Sequence, residues 1–290
     1  MAANTLSVAI QGQEGSYHDQ AAAHYFGEAY DPRFMETFAD VFGSVAEGRS
    51  DYGMSAVENS LVGSITPVYD LLRKTGRVSI MGEVYLGVHH SLIGLPGAQL
   101  GDIKDVYSHP VALDQCTAFL KQEIPQATTH TASDTAGSVS LVKERNDISV
   151  AAIAGANNAE RHGLQIIRSG VENDPENYTR FLVLSRPEND SHERRMQANK
   201  TSLLVERLTD DADELAPGTL HSALGCFAIA RVGLTKIESR PIQGRPWRYI
   251  FYLDCAAGAE DPKMKLATQA LDSVGASWRE LGTYKSGETI

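Results

Sequence analysis

The chain has 290 residues, 42% of them hydrophobic and 22% charged, with a formal net charge of −11. That length predicts two or three folding units, and the composition suits a packed soluble protein rather than a disordered one. No stretch approaches the ~20 apolar residues of a membrane span, and no basic stripe offers itself to nucleic acid. The start, MAANTLSVAIQGQEG, lacks the basic and apolar pattern of a secretory signal, so a cytoplasmic protein is expected. Residues 1–199 hold 15 Lys and Arg against 25 Asp and Glu, whereas residues 200–290 hold 11 against 12. The acidity therefore lies in the first part, where an anionic ligand must rely on local donors. Cys116, Cys226 and Cys255 are odd in number and show no CxxC spacing, which fits buried thiols in a reducing compartment. His89 and His90 are adjacent, so on a strand they point to opposite faces and cannot share one ion; no metal site is expected.

In chain order, Leu6–Ile10 predicts a strand, Gly12–Ser16 a turn, and Asp19–Phe26 a helix. The alternation recurs, with a strand at Met54–Val57 and a helix at Ile65–Arg73, which predicts a layered α/β architecture. Val78–Ile93 is rich in strand signal. A strand ending at Val106-Tyr107, helices at Ala112–Gln122 and Thr135–Lys143, and an unbroken apolar strand at Val150–Ile153 follow. Phe181–Leu184 closes this part. The polar run Ser185–Asn199, with Pro187, predicts a linker. Beyond it a strand at Thr201–Val205, a helix at Thr219–Ala230, strands at Leu234–Ile237 and Tyr249–Leu253, and a helix at Lys263–Val274 form a small α+β unit.

Four polar segments fall at strand ends and helix starts, where α/β folds expose their ligand crevices. They are Gly12–His18, Val57–Ile65, Thr131–Gly137 and Asn177–Phe181. The glycines of the first permit close approach of backbone to ligand, and the helix after it offers free N–H groups to an anion. Taken singly, each of the first three is equally a turn or a helix cap. Arg180, beside a buried strand, needs a carboxylate partner, either a structural Asp or Glu or a bound acid. The first loop lacks GxGxxG spacing, so no dinucleotide is expected.

Together, GQEGSYHDQAA, VENSLVGSI, SHPVALDQC, TASDTAGS, AAIAGANNAERHGL and NYTRFLVL resemble, in order and spacing, the prephenate dehydratase family. KTSLL at Lys200–Leu204 and LTKIESRP at Leu234–Pro241 resemble its C-terminal ACT regulatory domain. The similarity runs from about residue 6 to residue 284.

That resemblance implies an α/β, two-lobed, periplasmic-binding-protein-like catalytic unit over 1–190, followed by an α+β ACT domain (βαββαβ) over 200–284, with 191–199 between. Lobe one would span about 1–90 plus 165–190, and lobe two about 91–164. It implies loss of CO2 and water from prephenate, feedback regulation by phenylalanine, and no cofactor. Thr179 is the key hydroxyl, with Glu58, Asn59, Ser60, Thr135, Arg180 and Phe181 as further catalytic candidates and Ser16, Tyr17 and Gly63 as substrate-binding ones. Phenylalanine would meet Gly218, Thr219, Leu220, Leu234, Glu238, Ser239, Arg240 and Pro241. ACT pairing implies a homodimer or homotetramer. Gln13 and Ser16-Tyr17-His18 depart from the usual first loop and lean toward the arogenate dehydratases, so an arogenate or dual-substrate enzyme is the alternative. Pro217–Leu220 departs from the usual Gly-Ala-Leu turn. A non-catalytic amino-acid sensor would need neither the ENS nor the TRF residues. With a strand already at Leu6, an N-terminal helical mutase domain is not expected.

Overall fold

The computed structural model describes residues 5–27, 29–207 and 218–290. They form three sheets. In the first, the strands run in the order Tyr30–Met35, Leu6–Gln11, Tyr52–Asn59, Tyr178–Ser185, Ser79–Gly87. The first three are parallel, linked by helices Tyr17–Phe26 and Phe38–Ala46, and the latter opens on a Thr37–Asp40 capping box. Tyr178–Ser185 returns from the other lobe and pairs antiparallel with both neighbours. Seven of its eight residues are buried, as a strand covered on both faces requires.

The chain crosses to the second sheet through Val88–His90 and returns through residues 170–177. That sheet runs Gln165–Ser169, Ser91–Gly94, Val150–Ala154, Asp105–Ser108, Thr128–Thr131. Val150–Ala154 is wholly buried at its centre, where the continuous apolar run placed it. Leu92, Ile103, Val106 and Ile153 build one face of its core, and Ile93, Val139, Val142 and Ala152 the other.

The third sheet is antiparallel, in the order Leu234–Pro241, Tyr249–Cys255, Lys200–Arg207, Ser277–Tyr284. Helices Thr219–Ile229 and Pro262–Ser273 cover one face, giving βαββαβ. Its other face joins the first sheet: Leu204, Ile250, Tyr252, Leu281 and Tyr284 share one core with Phe42, Val57, Tyr69, Leu72 and Leu184. The last strand, Ser277–Tyr284, pairs with Lys200–Arg207 and completes the six elements.

Three strands carry too little buried apolar surface to be read from pattern: Tyr30–Met35, Thr128–Thr131 and Gln165–Ser169 are all half-exposed or exposed. The helix expected at Ala112–Gln122 is two, Pro110–Gln115 and Thr117–Glu123, broken at the buried Cys116. The polar run Ser185–Asn199 is a pinned strap, not a loose tether. It contains helix His192–Met196, and Arg194 donates to the carbonyls of Met81 and Thr283 while Arg195 pairs with Glu280 at 2.7 Å. Pro217, in the turn singled out above, lies outside the described residues. Among those described, no helix is long and apolar enough to cross a membrane, and no cluster of metal-ligating side chains forms.

Candidate active site

A cavity of about 280 Å³ lies between the first and second sheets. Three helices aim their N-termini at it, and their caps line it: Ser16 before Tyr17–Phe26, His109 before Pro110–Gln115, and Asp134 before Thr135–Arg145. No lysine or arginine is among the described residues lining it. What the wall offers an anion is the N-terminal end of each helix dipole, set against the one carboxylate among the described lining residues, Asp134. Asp134 is engaged as a cap, accepting from the Gly137 N–H at 2.6 Å.

The floor is the strand pair 52–59 and 178–185. Thr179 sits opposite Asn59 in register, and both face the cavity with Phe181. Asn59 Nδ2 donates to Thr179 Oγ1 at 3.0 Å, to Asn177 Oδ1 at 2.7 Å and to the Tyr178 carbonyl at 3.1 Å. Its Oδ1 accepts from the N–H groups of Leu61 and Val62. The amide is thus fixed at both ends, and because it fills an acceptor position on Thr179 Oγ1, the hydroxyl proton remains free to donate into the cavity. Next to this pair the ladder breaks register between Arg180 and Phe181, a bulge of the kind that re-aims side chains at sites.

Aromatic and imidazole groups complete the wall. His18 Nε2 accepts from the Ala56 N–H at 3.1 Å, so its proton sits on Nδ1, and burial pushes its pKa down to about 4. It packs edge-on to Phe181. His90 contacts Tyr17 Oη through Nδ1 at 3.1 Å and Gln115 Oε1 through Nε2 at 3.0 Å, and burial lowers its pKa as well. Tyr17 donates to the His89 carbonyl at 2.7 Å, and burial raises its pKa. The lobes also meet beside the cavity, where the Gly15 carbonyl accepts from Gln20, Asn157 and Asn158. Glu14 pairs with Arg161 nearby. Gly15 has φ +83°, and a Cβ there would stand 2.2 Å from Asn158 Oδ1, so glycine is required by conformation and by space.

Of the ten catalytic and substrate-binding candidates, Ser16, Tyr17, Asn59, Thr135, Thr179 and Phe181 line the cavity. Four do not, and these are corrections. Glu58 and Arg180 alternate with Asn59 and Thr179 along the strands, so they emerge on the opposite face toward the third sheet. There Arg180, 5% exposed, binds Glu83 at 2.7 Å, Asp254 at 2.5 Å and Tyr284 Oη at 3.0 Å. Burial opposes its charge, yet Asp254 and Glu83 keep it protonated. It is a structural cation, not a clamp for substrate. Ser60 is spent on backbone, donating to the Glu176 carbonyl and accepting from the Tyr178 N–H. Gly63, at φ +89°, forms the short strand Gly63–Ser64 that turns back on Asn59. Sequence reasoning did not assign roles to His18, His90, His109 or Gln115, although the segments GQEGSYHDQAA and SHPVALDQC contain three of them.

The eight candidate phenylalanine contacts do not converge on one pocket within a single chain. Gly218, at φ +92°, caps helix Thr219–Ile229, and Leu234 packs against the helical side of the third sheet. Glu238 and Arg240 face the first unit, meeting Ser64 at 2.6 Å and Asp70 at 3.3 Å. Ser239 and Pro241 are exposed along the free edge of the sheet.

Residues 8–189 match the family model "Prephenate dehydratase". The chain is 33% identical to the bifunctional chorismate mutase/prephenate dehydratase of Escherichia coli K12 over 291 residues, covering 99% of this chain and 72% of that one. It is 36% identical to arogenate dehydratase 1 of Petunia hybrida over 305 residues, covering 98% and 68%. Among solved structures, the prephenate dehydratase of Arthrobacter aurescens in complex with L-Phe superposes with a TM-score of 0.85 at 28% identity, covering 97% of this chain and 90% of that one. A protein described as a novel type of quorum quenching acylase superposes at 0.84 with 31% identity, covering 97% and 98%. With its cavity built on the Thr179–Asn59 pair and the match spanning most of its length, this chain belongs to the prephenate dehydratase family.

Proposed function

We propose that the chain converts prephenate to phenylpyruvate, with residues 1–190 as the catalytic part and residues 200–284 as an ACT domain that senses phenylalanine. The observation that carries this is the Thr179 hydroxyl, its oxygen accepting from Asn59, facing a cavity onto which three helix N-termini open. Prephenate carries two carboxylates. In the reaction the bond from the ring to its carboxyl carbon breaks, its electrons enter the ring, and the C4–O bond breaks as the hydroxyl takes up one further proton, drawn ultimately from solvent; the products are CO2, water and phenylpyruvate with its aromatic ring. Thr179 donates a hydrogen bond to the departing oxygen, where negative charge develops. A threonine hydroxyl is too weak an acid to surrender its proton outright, so it supports proton transfer rather than supplying it. Apolar walls at Ile65, Val88 and Phe181 suit the ring. Aromatisation provides the driving force, so no redox cofactor is called for.

Phenylalanine regulation is supported by the Arthrobacter relative, which was solved with L-Phe. The scatter of candidate contacts over an edge strand and a helix start fits an effector site completed by a second protomer, as a dimer or tetramer. The three cysteines are free and buried, in keeping with a reducing cytoplasm. Arogenate is the second substrate to consider, since relatives named arogenate dehydratases match as fully as the bacterial ones. The deciding experiment is turnover of the full chain on prephenate and on arogenate separately, with and without millimolar phenylalanine. Phenylpyruvate formed from prephenate and suppressed by phenylalanine is expected. Product from arogenate alone would replace the substrate but keep the site; product from neither would remove the dehydratase reading.

A further inference from the structure

The two strands that carry the site are gripped from behind. Thr179 and Asn59 are register partners facing the cavity, and their neighbours Arg180 and Glu58 are register partners facing the third sheet. Opposite them, Asp254 and Lys236 are register partners on adjacent strands of that sheet. The four charges meet two by two: Arg180 with Asp254 at 2.5 Å, and Glu58 with Lys236 at 2.8 Å. The pairing is complementary in sign and in spacing, because strand neighbours on one sheet face strand neighbours on another.

The two contacts are not alike. Arg180 is locked in a buried network with Glu83, Lys200, Ser202, Asp254 and Tyr284. Breaking that network would threaten the fold before it touched the chemistry. Glu58–Lys236 stands at the margin. The Glu58 side chain is 36% exposed and that of Lys236 12%, and both border a hollow of about 260 Å³ with room for rearrangement. Lys236 is held from three further sides, by Ser64 Oγ at 3.1 Å, Glu238 at 3.7 Å and the ring of Tyr69 at 5.6 Å. Ser64 in turn donates to Glu238 at 2.6 Å, and its strand Gly63–Ser64 pairs with Glu58 and Asn59.

Every tie on Glu58 is therefore a tie on the residue before Asn59. Beside the bulge, Glu58 sets the backbone from which the Asn59 side chain departs, while the amide's own hydrogen bonds hold its far end against the Thr179 hydroxyl. We infer that Lys236 of the third unit is a positioning residue for the reaction: by holding Glu58 it orients Asn59 and so aims the Thr179 proton. This rests on the dehydratase reading given above. It assigns the third unit a part in basal turnover, separate from any effector it binds.

The test compares the full-length chain with Lys236→Met, Lys236→Arg, Glu58→Gln and the double variant Glu58→Gln/Lys236→Met. The measurements are kcat and KM on the substrate that the wild type turns over, well below each Tm. Lys236→Met and Glu58→Gln are expected to lower kcat ~3- to 10-fold with KM within about twofold. Lys236→Arg keeps the ion pair and is expected to restore most of kcat. The double variant should be no worse than the poorer single, the signature of two residues acting through one contact. Single variants with lower Tm but wild-type kcat would reduce the pair to a structural tie and overturn the proposal. So would fully additive losses in the double variant. A wild type inactive on both prephenate and arogenate would instead sink the dehydratase reading itself, and the two failures are told apart by that control.

Discussion

The first unit meets its two neighbours in opposite ways. Against the third sheet it shares a hydrophobic core and a buried quartet of charges, Glu83, Arg180, Lys200 and Asp254. Against the second sheet it has a cavity, two chain crossings, and polar contacts from the loop 12–17, His90 and Asn173. Apolar burial and desolvated charge make the first boundary stiff, while the second rests on hydrogen bonds around a cavity, which cost less to exchange with water. A ligand cleft needs that asymmetry: one rigid wall to aim the chemistry and one wall that can release product.

If the rear boundary is a rigid weld, Arg180→Met should cost about 3–5 kcal/mol, because it strands the carboxylates of Glu83 and Asp254 with Lys200 alone. Denaturant unfolding measures this. Removing the Asp254 charge as well, in Arg180→Met/Asp254→Asn, should return part of the loss, which sharpens the point that unpaired charge rather than lost packing is responsible. A smaller effect is expected on the cleft side. Gly15→Ala places a methyl group against Asn158 and strains φ, so it should cost about 1–3 kcal/mol of stability and raise KM, with Tm and Michaelis kinetics as the readouts.

The effect spread over the widest range of conditions is a pH dependence. The His18 pKa lies at about 4 in the folded chain, below its ordinary 6.5, because burial disfavours the charged ring. The unfolded chain therefore binds its proton first, and the stability that neutral His18 contributes is fully present above pH 6.5 and lost as pH falls toward 4. Tm measured across that window should decline less steeply in His18→Gln than in the wild type. His90 shifts in the same direction, so the comparison with the variant isolates the His18 share.

The elements around the site were legible because local chemistry and tertiary role agree there. Val150–Ala154 reads as a buried strand and is one; Thr135 follows an Asp that caps its helix. The motif NYTRF placed Thr179 in the cleft. What the motif could not tell is which face each neighbour takes. A strand's period of two separates Thr179 from Arg180 and Asn59 from Glu58, and the bulge that leaves Val57 unmatched resets that count on the strand 52–59 in a way no single-strand pattern reveals. The polar segment 185–199 also holds contacts that its sequence does not announce. Its arginines look solvated in sequence, but Arg194 and Arg195 find carbonyls and carboxylates on strands more than 80 residues away. His90 and Gln115 meet only through the fold, so their shared position in the cleft was beyond reach of spacing.

The most direct measurement is turnover by Thr179→Val beside the wild type, with Tm recorded for both. Valine keeps the shape and removes the hydroxyl. A fall in kcat of ~10²–10³, at nearly unchanged Tm, is predicted for loss of a donor to the departing oxygen. Near-normal kcat in a folded Thr179→Val chain would contradict the account, since the proton that Asn59 leaves free would then have no part in the chemistry.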